Sequence, residues 1–397
     1  MDTVYDVVVC GGGVAGVSAA LASARGGAKT LLIEKGYNLG GLATLGLIVI
    51  YLPLDDGDGV KMSSGICEEL IKNAYKYGPK CGKPNGWLKS SEIPKVWQDE
   101  NATSIEDRKG IRYLTQYNPA SFMISMEELL LENGVKILYD AHLTDVVCDD
   151  KKVKEIVIST KKGPLKLSAK AFIDATGDAD LCYFAGEKTI DDNTNRRTGW
   201  YYSYNGNTVA LHQQTDPVYS EIPPTSRLYS GTDIEDISQN VIDGRKMILD
   251  HITKLNGGDF DKEYPIIIPS YHGLRVTRRL DTGFYFSENK HDRVWFNDAI
   301  GMIGNWKKDS HRYSIPYRSI KAVKNNNLFA AGRCVAASKS GSDLTRVIPS
   351  CAVTGEASGV AAAFIAKNGY EADIKTLQNE LVRNGVLLNK TLFDKEE

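Results

Sequence analysis

Three glycines, Gly11, Gly13 and Gly16, follow a short β-branched run, and Glu34 stands 18 residues beyond the last of them. In such a pattern the first glycine permits a tight turn and the second lets the backbone approach a pyrophosphate. The third lets helix and strand pack closely, the helix N-terminus offsets phosphate charge, and the acid accepts hydrogen bonds from a ribose. Strand, turn, helix and acid stand in register here, so the pattern predicts a dinucleotide cradle rather than a bare turn. A second set of residues lies in the later half: Arg275, His311, Tyr313 and Arg346. A guanidinium can stabilise developing negative charge or clamp a carboxylate bidentately. A histidine titrating near ~6.5 beside a tyrosine can pass a proton as hydride leaves a C–H bond. These four are the expected catalytic residues. If residues 274–280 are extended, Arg275, Thr277 and Arg279 share one face and Arg278 the other; the alternative for these arginines is pairing with Asp281 or Glu288.

The elements that must position these groups follow from periodicity. Residues 5–10 (YDVVVC) are apolar in succession from Val7 to Val9 and predict a strand buried on both faces. Residues 14–25 predict a small-residue helix and 30–33 a second buried strand, which together make one βαβ unit. Residues 119–132, stopped by Asn133-Gly134, and 234–255 predict helices. Residues 135–139, 144–148, 153–160 and 164–168 predict short strands, and 171–175 (AFIDA) a buried one. A strand ends at Gly332, and a small-residue helix covers 352–367. The expected fold class is α/β: a Rossmann-like domain discontinuous over residues 1–50, 115–185 and 312–397, with 51–114 as excursion or lid and 186–311 as an inserted α+β substrate domain.

Composition narrows the partners. In 397 residues, 48 Lys plus Arg nearly cancel 50 Asp plus Glu, leaving −2, which predicts neither nucleic acid nor a polybasic membrane surface and favours a small-molecule substrate. The longest apolar stretch, 45–54, contains Gly46 and Pro53 and is too short to cross a bilayer. The N-terminus lacks the basic segment and apolar core of a secretory signal. Seven cysteines without a CxxC pair predict reduced thiols in a cytoplasm, Cys334 and Cys351 included, and no thiolate metal site. GPKCGK (78–83) is one residue short of a phosphate-binding loop and reads as a turn. Asp55, Asp56 and Asp58 lack the register of a calcium loop and read as solvated. HExxH and GxSxG are absent.

The segments GGGVAGVSAALASARGGAKTLLIEK, AFIDATGDADL and LFAAGR together resemble the three FAD-contacting segments of the glutathione-reductase-like flavoprotein fold. HGLRVTRRL (272–280), YSIPYRSI (313–320) and the stretch 332–363 resemble the bacterial FAD-dependent oxidoreductases. The resemblance implies FAD, held by Gly11, Gly13, Val14, Ala15, Gly16, Glu34, Lys35, Gly41, Leu42, Ala43, Ala175, Thr176, Gly177, Gly332, Arg333, Ser350 and Cys351. Arg333 departs from the Asp that many relatives of the fold carry. Gly40-Gly41 leads into Leu42-Ala43-Thr44 without a redox cysteine pair, and no second glycine fingerprint follows, so neither a disulfide relay nor a nicotinamide domain is expected. The implied reaction is hydride transfer between a small polar organic substrate and flavin N5. Its alternatives are a fumarate-reductase-like ene-reductase and a flavin-bound electron-transfer or scaffold subunit. The electron acceptor or donor and any homo-oligomer stay open.

Overall fold

The computed structural model describes residues 2–78, 92–99, 101–216 and 226–397. Beyond Gly78, the 78–83 stretch considered for phosphate binding lies outside the described residues. Strand β1 (Val4–Cys10) leads into helix α1 (Val14–Arg25) and strand β2 (Thr30–Ile33). Helix α2 (Ile66–Asn73) and helix α3 (Pro119–Glu132) precede β3 (Lys136–Leu138), β4 (His142–Asp149), β5 (Lys152–Thr160) and β6 (Gly163–Asp174). Then come β7 (Arg197–Tyr204), β8 (Val209–Asp216), helix α4 (Ile234–Asn256), β9 (Tyr264–Ile267), β10 (Leu328–Ala330), helix α5 (Lys339–Thr345) and helix α6 (Ile348–Asn368).

The main sheet runs β3-β2-β1-β6 in parallel, with β10 also parallel beside β6. Val7, Val8 and Val9 are fully buried, as a strand covered on both faces requires. β6 is one strand of 12 residues where two were expected. No glycine or proline interrupts residues 165–174, so one ladder passes from the antiparallel meander with β5 into parallel pairing with β1 and β10. The consequence for the site is that β1, β2, β6 and β10 end on one edge, at Cys10, Ile33, Asp174 and Ala330. A ligand is received at that edge of an open parallel sheet.

Small residues bring α1 and α6 together. A Cβ on Gly355 would stand 2.2 Å from the Ala15 carbonyl oxygen, and one on Gly359 would stand 2.3 Å from that of Ala19. Helix α6 is long and apolar enough to cross a membrane by length and composition, yet 89% of its apolar window is buried in this core. Its Glu356 is buried, accepts a 2.8 Å hydrogen bond from the Ile66 amide at the start of α2, and has its pKa pushed up to about 8 by burial. A carboxyl raised in the folded state adds stability that is complete below the ordinary glutamate range and is lost as pH rises through about 8. Unfolding free energies measured across that window should therefore fall more steeply in the wild type than in Glu356→Gln, by up to about 1.4 kcal/mol per pH unit for one proton.

Two expectations change in the core. Much of the described part of residues 51–98 packs into the interior rather than forming a lid: Tyr51, Leu70 and Trp97, with Tyr113, belong to the main apolar cluster, as do Phe286, Phe296 and Ile303 from the stretch assigned to the substrate domain, while residues 101–111 are mostly exposed. Asp55 and Asp56 are fully buried, not solvated. Asp56 pairs with Arg312 at 2.6 Å and Asp55 lies 3.5 Å from Arg112, arginines 200 residues apart whose pairing no local pattern reveals.

The three-stranded sheet β8-β7-β9 carries α4 on one face, where a Cβ on Gly199 would meet the Gly244 carbonyl oxygen at 2.7 Å. Helix α4 starts on the Asp233 cap, which accepts from the Asp236 amide, and ends at Gly257 with φ +68°.

Candidate cofactor and active site

A cavity of about 710 Å³ runs along the carboxyl edge of the main sheet and is lined opposite by residues of β7, β8 and the loop before residue 278. Every residue expected to hold FAD lines it except Gly16 and Ser350. Gly16 works from behind: a Cβ there would lie 1.8 Å from the Gly11 carbonyl oxygen, so it permits the turn without touching what lies in the cavity. Gly11 itself has φ +106°, and its Cβ would strike the Ala175 carbonyl oxygen at 2.4 Å. Gly13 differs from both. Its Cβ would meet nothing of the chain within 4 Å, so that position is open to the cavity floor. A pyrophosphate lying against the N-terminus of α1 fits this open floor.

Glu34 is held, not free. Its Oε2 accepts from the Gly12 amide at 2.7 Å, and its Oε1 accepts from the Gly36 amide at 2.7 Å and from the Tyr271 hydroxyl. A carboxylate has about four acceptor positions, so one remains for a ribose hydroxyl. Beside it, Ala141, His142 and Leu143 at the start of β4 complete the wall. The Ala141 amide bonds the Glu34 carbonyl oxygen at 3.1 Å, which fixes that strand against the acid.

Arg333 reaches over the third segment. Its Nη1 donates to the Leu274 carbonyl oxygen at 2.5 Å and its Nη2 lies 3.4 Å from Asp178. Asp180 pairs with Arg278, yet burial and the neighbouring Asp178 and Asp174 raise its pKa to about 6. At the β10 end the Gly332 amide donates to Thr354 Oγ1 at 2.9 Å. Burial pushes the Cys351 thiol up to about 12, so it faces the cavity as an uncharged group. Ser350 is buried behind this wall.

The far end carries aromatic planes and cations. Trp200 on β7 donates to Thr215 on β8 at 3.2 Å, and the Arg275 guanidinium carbon stands 5.9 Å from its ring centroid. The Arg275 backbone amide is pinned to Asn195 Oδ1 at 2.9 Å. Arg346, at the end of α5, is clasped by Asp343 at 2.6 Å, and the other Asp343 oxygen takes Lys307 at 3.0 Å. Trp306 donates to the Asp343 carbonyl oxygen at 3.0 Å. One acid therefore serves two cations here, and this corner keeps a positive excess.

The remaining expectations divide. His311 and Tyr313 are not among the cavity walls: His311 is half-exposed and bonds Asp292 at 2.7 Å, while Tyr313 is buried edge-on against Phe286. Tyr313 lies on the strand Arg312–Pro316, which His311 precedes, and that strand pairs with Ala299–Gly304 instead of joining the main sheet. Arg275 and Arg279 do not share a face, because the extended segment is only Arg278–Leu280. Arg279 is buried, 3.4 Å from Asp192, and Arg278 pairs with Asp180, so neither meets Asp281 or Glu288. Sequence reasoning missed Tyr271, His272, Trp200 and Trp306. His272 carried a signal, since it opens the HGLRVTRRL string. Burial, with Arg245 nearby, lowers its pKa to about 4, and its Nε2 faces Asn240 Oδ1 at 2.9 Å.

The family model described as FAD dependent oxidoreductase matches residues 6–199 and 188–381. The tRNA uridine 5-carboxymethylaminomethyl modification enzyme MnmG of Lactococcus lactis subsp. lactis (strain IL1403) is 30% identical over 176 residues, 44% of this chain and 25% of that protein. Digeranylgeranylglycerophospholipid reductase of Thermoplasma volcanium is 26% identical over 191 residues, 48% of this chain and 43% of that protein. The chain thus matches a quarter to less than half the length of these curated relatives. Among solved structures, p-nitrophenol 4-monooxygenase PnpA from Pseudomonas putida DLL-E4 shares the fold with a TM-score of 0.52 at 16% identity, over 97% of this chain and 85% of that one. The family match spans the glycine turn, the acid that follows it and the strand ends that line the cavity. The chain therefore belongs to the FAD dependent oxidoreductase family, an enzyme family whose cofactor is FAD.

Proposed function

We propose that this oxidoreductase acts on a small organic substrate carrying an anionic group, held at the Trp200 and Trp306 end of the cavity. The observation that carries this reading is the continuity of one cavity from the Gly13 floor to Arg275 and Arg346. Bound FAD supplies hydride acceptance or donation. Gly13, Val14 and Ala15 would hold its pyrophosphate, Glu34 its ribose, and the Gly332 and Cys351 wall its other end. Arg275 and Arg346 would bind the substrate's anionic group and stabilise negative charge as it develops. Trp200 and Trp306 would cover a planar or apolar body and exclude water. His272, uncharged at neutral pH, adds hydrogen bonding without adding charge.

The chain carries one glycine fingerprint, which is given to FAD. NADH and NADPH are therefore expected to reduce the flavin slowly and without saturation. Anaerobic titration of the holoprotein with hydroxy acids, enoates, amines and sugars should find the response among the acids. Loss of the oxidised flavin spectrum would mark a dehydrogenase, and its return in pre-reduced protein an ene-reductase. Rapid, saturable reduction by a nicotinamide nucleotide, with no response to any acid, would overturn the reading.

A further inference from the structure

Tyr271 lies on the loop between β9 and the strand Arg278–Leu280, far in sequence from the glycine turn, yet its hydroxyl donates to Glu34 Oε1. The contact is built from both sides. Gly36 makes room for it, because a Cβ at that position would stand 2.5 Å from the Tyr271 oxygen. Lys35 Nζ lies 5.8 Å from the centre of the Tyr271 ring. The loop is tied down around the tyrosine: the amides of Ser270 and Tyr271 donate to the Leu45 carbonyl oxygen at 2.9 and 3.2 Å, and the Leu274 carbonyl oxygen accepts from Arg333 at 2.5 Å. These ties cross the cavity, since Glu34, Tyr271, Leu274 and Arg333 all line it.

We propose that Tyr271 is a latch that closes this loop over the adenosine half of FAD through Glu34 and so sets how slowly the cofactor leaves. Three acceptor positions of the Glu34 carboxylate are occupied by Gly12, Gly36 and Tyr271, and the fourth is left for the ribose, so latch and cofactor bind the same carboxylate together. The loop continues to Arg275, whose amide is fixed on Asn195 Oδ1, so closure over the cofactor also sets the position of the cation at the substrate end. This role concerns cofactor retention and holds whichever substrate the far end takes.

The test follows FAD release from purified holoprotein after dilution, by recovery of free-flavin fluorescence. Tyr271→Phe keeps the ring and removes the hydrogen bond to a charged acceptor. It should release FAD about tenfold faster and raise the dissociation constant by the same factor. Tyr271→Ala should release FAD at least as fast as the Phe variant. Release at the wild-type rate from the Phe variant would overturn the latch, even if the Ala variant were fast, because the ring and not the hydroxyl would then hold the loop. Tighter binding by the Phe variant would also overturn it, making Tyr271 a competitor of the ribose.

Discussion

Replacing Gly13 by Val is expected to leave a folded, colourless protein. A Cβ at this position meets no atom of the chain within 4 Å, and Gly13 has φ −66°, which any residue adopts. The added methyls would fill the floor on which a pyrophosphate must lie. FAD affinity should fall by ~10²-fold or more, as expected when close backbone approach is blocked and the phosphate loses the helix N-terminus. Gly16→Ala provides the contrast. Its Cβ would be 1.8 Å from the Gly11 carbonyl oxygen, so β1 or α1 must shift, and the apo protein itself should melt earlier. Flavin absorbance per chain and thermal melting of the apo forms, measured side by side, separate the two. A yellow Gly13→Val protein with one FAD per chain would show that the cofactor does not approach this turn.

Arg275→Ala and Arg346→Ala should each slow flavin reduction or reoxidation by the best substrate ~10²-fold, while FAD stays bound. Both arginines line the cavity, and neither side chain belongs to the glycine turn or ties down the Tyr271 loop, which Arg275 joins through its backbone amide alone. Removing Arg346 leaves Asp343 paired with Lys307 at 3.0 Å, so no buried acid is stranded and the fold should persist. Arg279, four residues beyond Arg275, should behave differently. Its guanidinium is buried 3.4 Å from Asp192 and donates to the Ala337 carbonyl oxygen at 2.7 Å. Truncating it strands a buried carboxylate, at a cost of about 3–5 kcal/mol in stability. Stopped-flow traces for Arg275→Ala that match the wild type would remove that residue from the site.

How far the sequence could be read depended on the range of the interactions. The βαβ unit was legible because Val7–Val9, the glycine spacing and Glu34 are local patterns with one physical solution. The helix at Pro119–Glu132 was legible to the residue, since Asn118 caps it, proline opens it and Asn133-Gly134 closes it. The split of β6 into two strands failed because Ser168 and Lys170 look like a break, although neither stops a ladder. The buried Asp55 and Asp56 failed for another reason: their arginine partners come from Arg112 and Arg312, and pairing across the chain leaves no local trace. Of the cavity walls, the glycine turn, Glu34 and the strand ends were legible by motif, whereas the aromatic end was not. Arg275 and Arg346 line the same cavity, and His311 and Tyr313, chosen on the same chemistry, pack elsewhere. Tyr271 sits in an irregular loop, where periodicity carries no signal, and only the folded loop brings it to Glu34.

If Arg275 and Arg346 select an anionic substrate, as proposed, the rate of flavin absorbance change will depend on the charge of what is mixed with the anaerobic holoprotein: organic acids or, separately, the uncharged amide of each. The responding acid should outpace its amide by ~10²-fold or more, and this preference should disappear in Arg275→Ala or Arg346→Ala. Amides that react as fast as their acids, in wild type and variants alike, would contradict it.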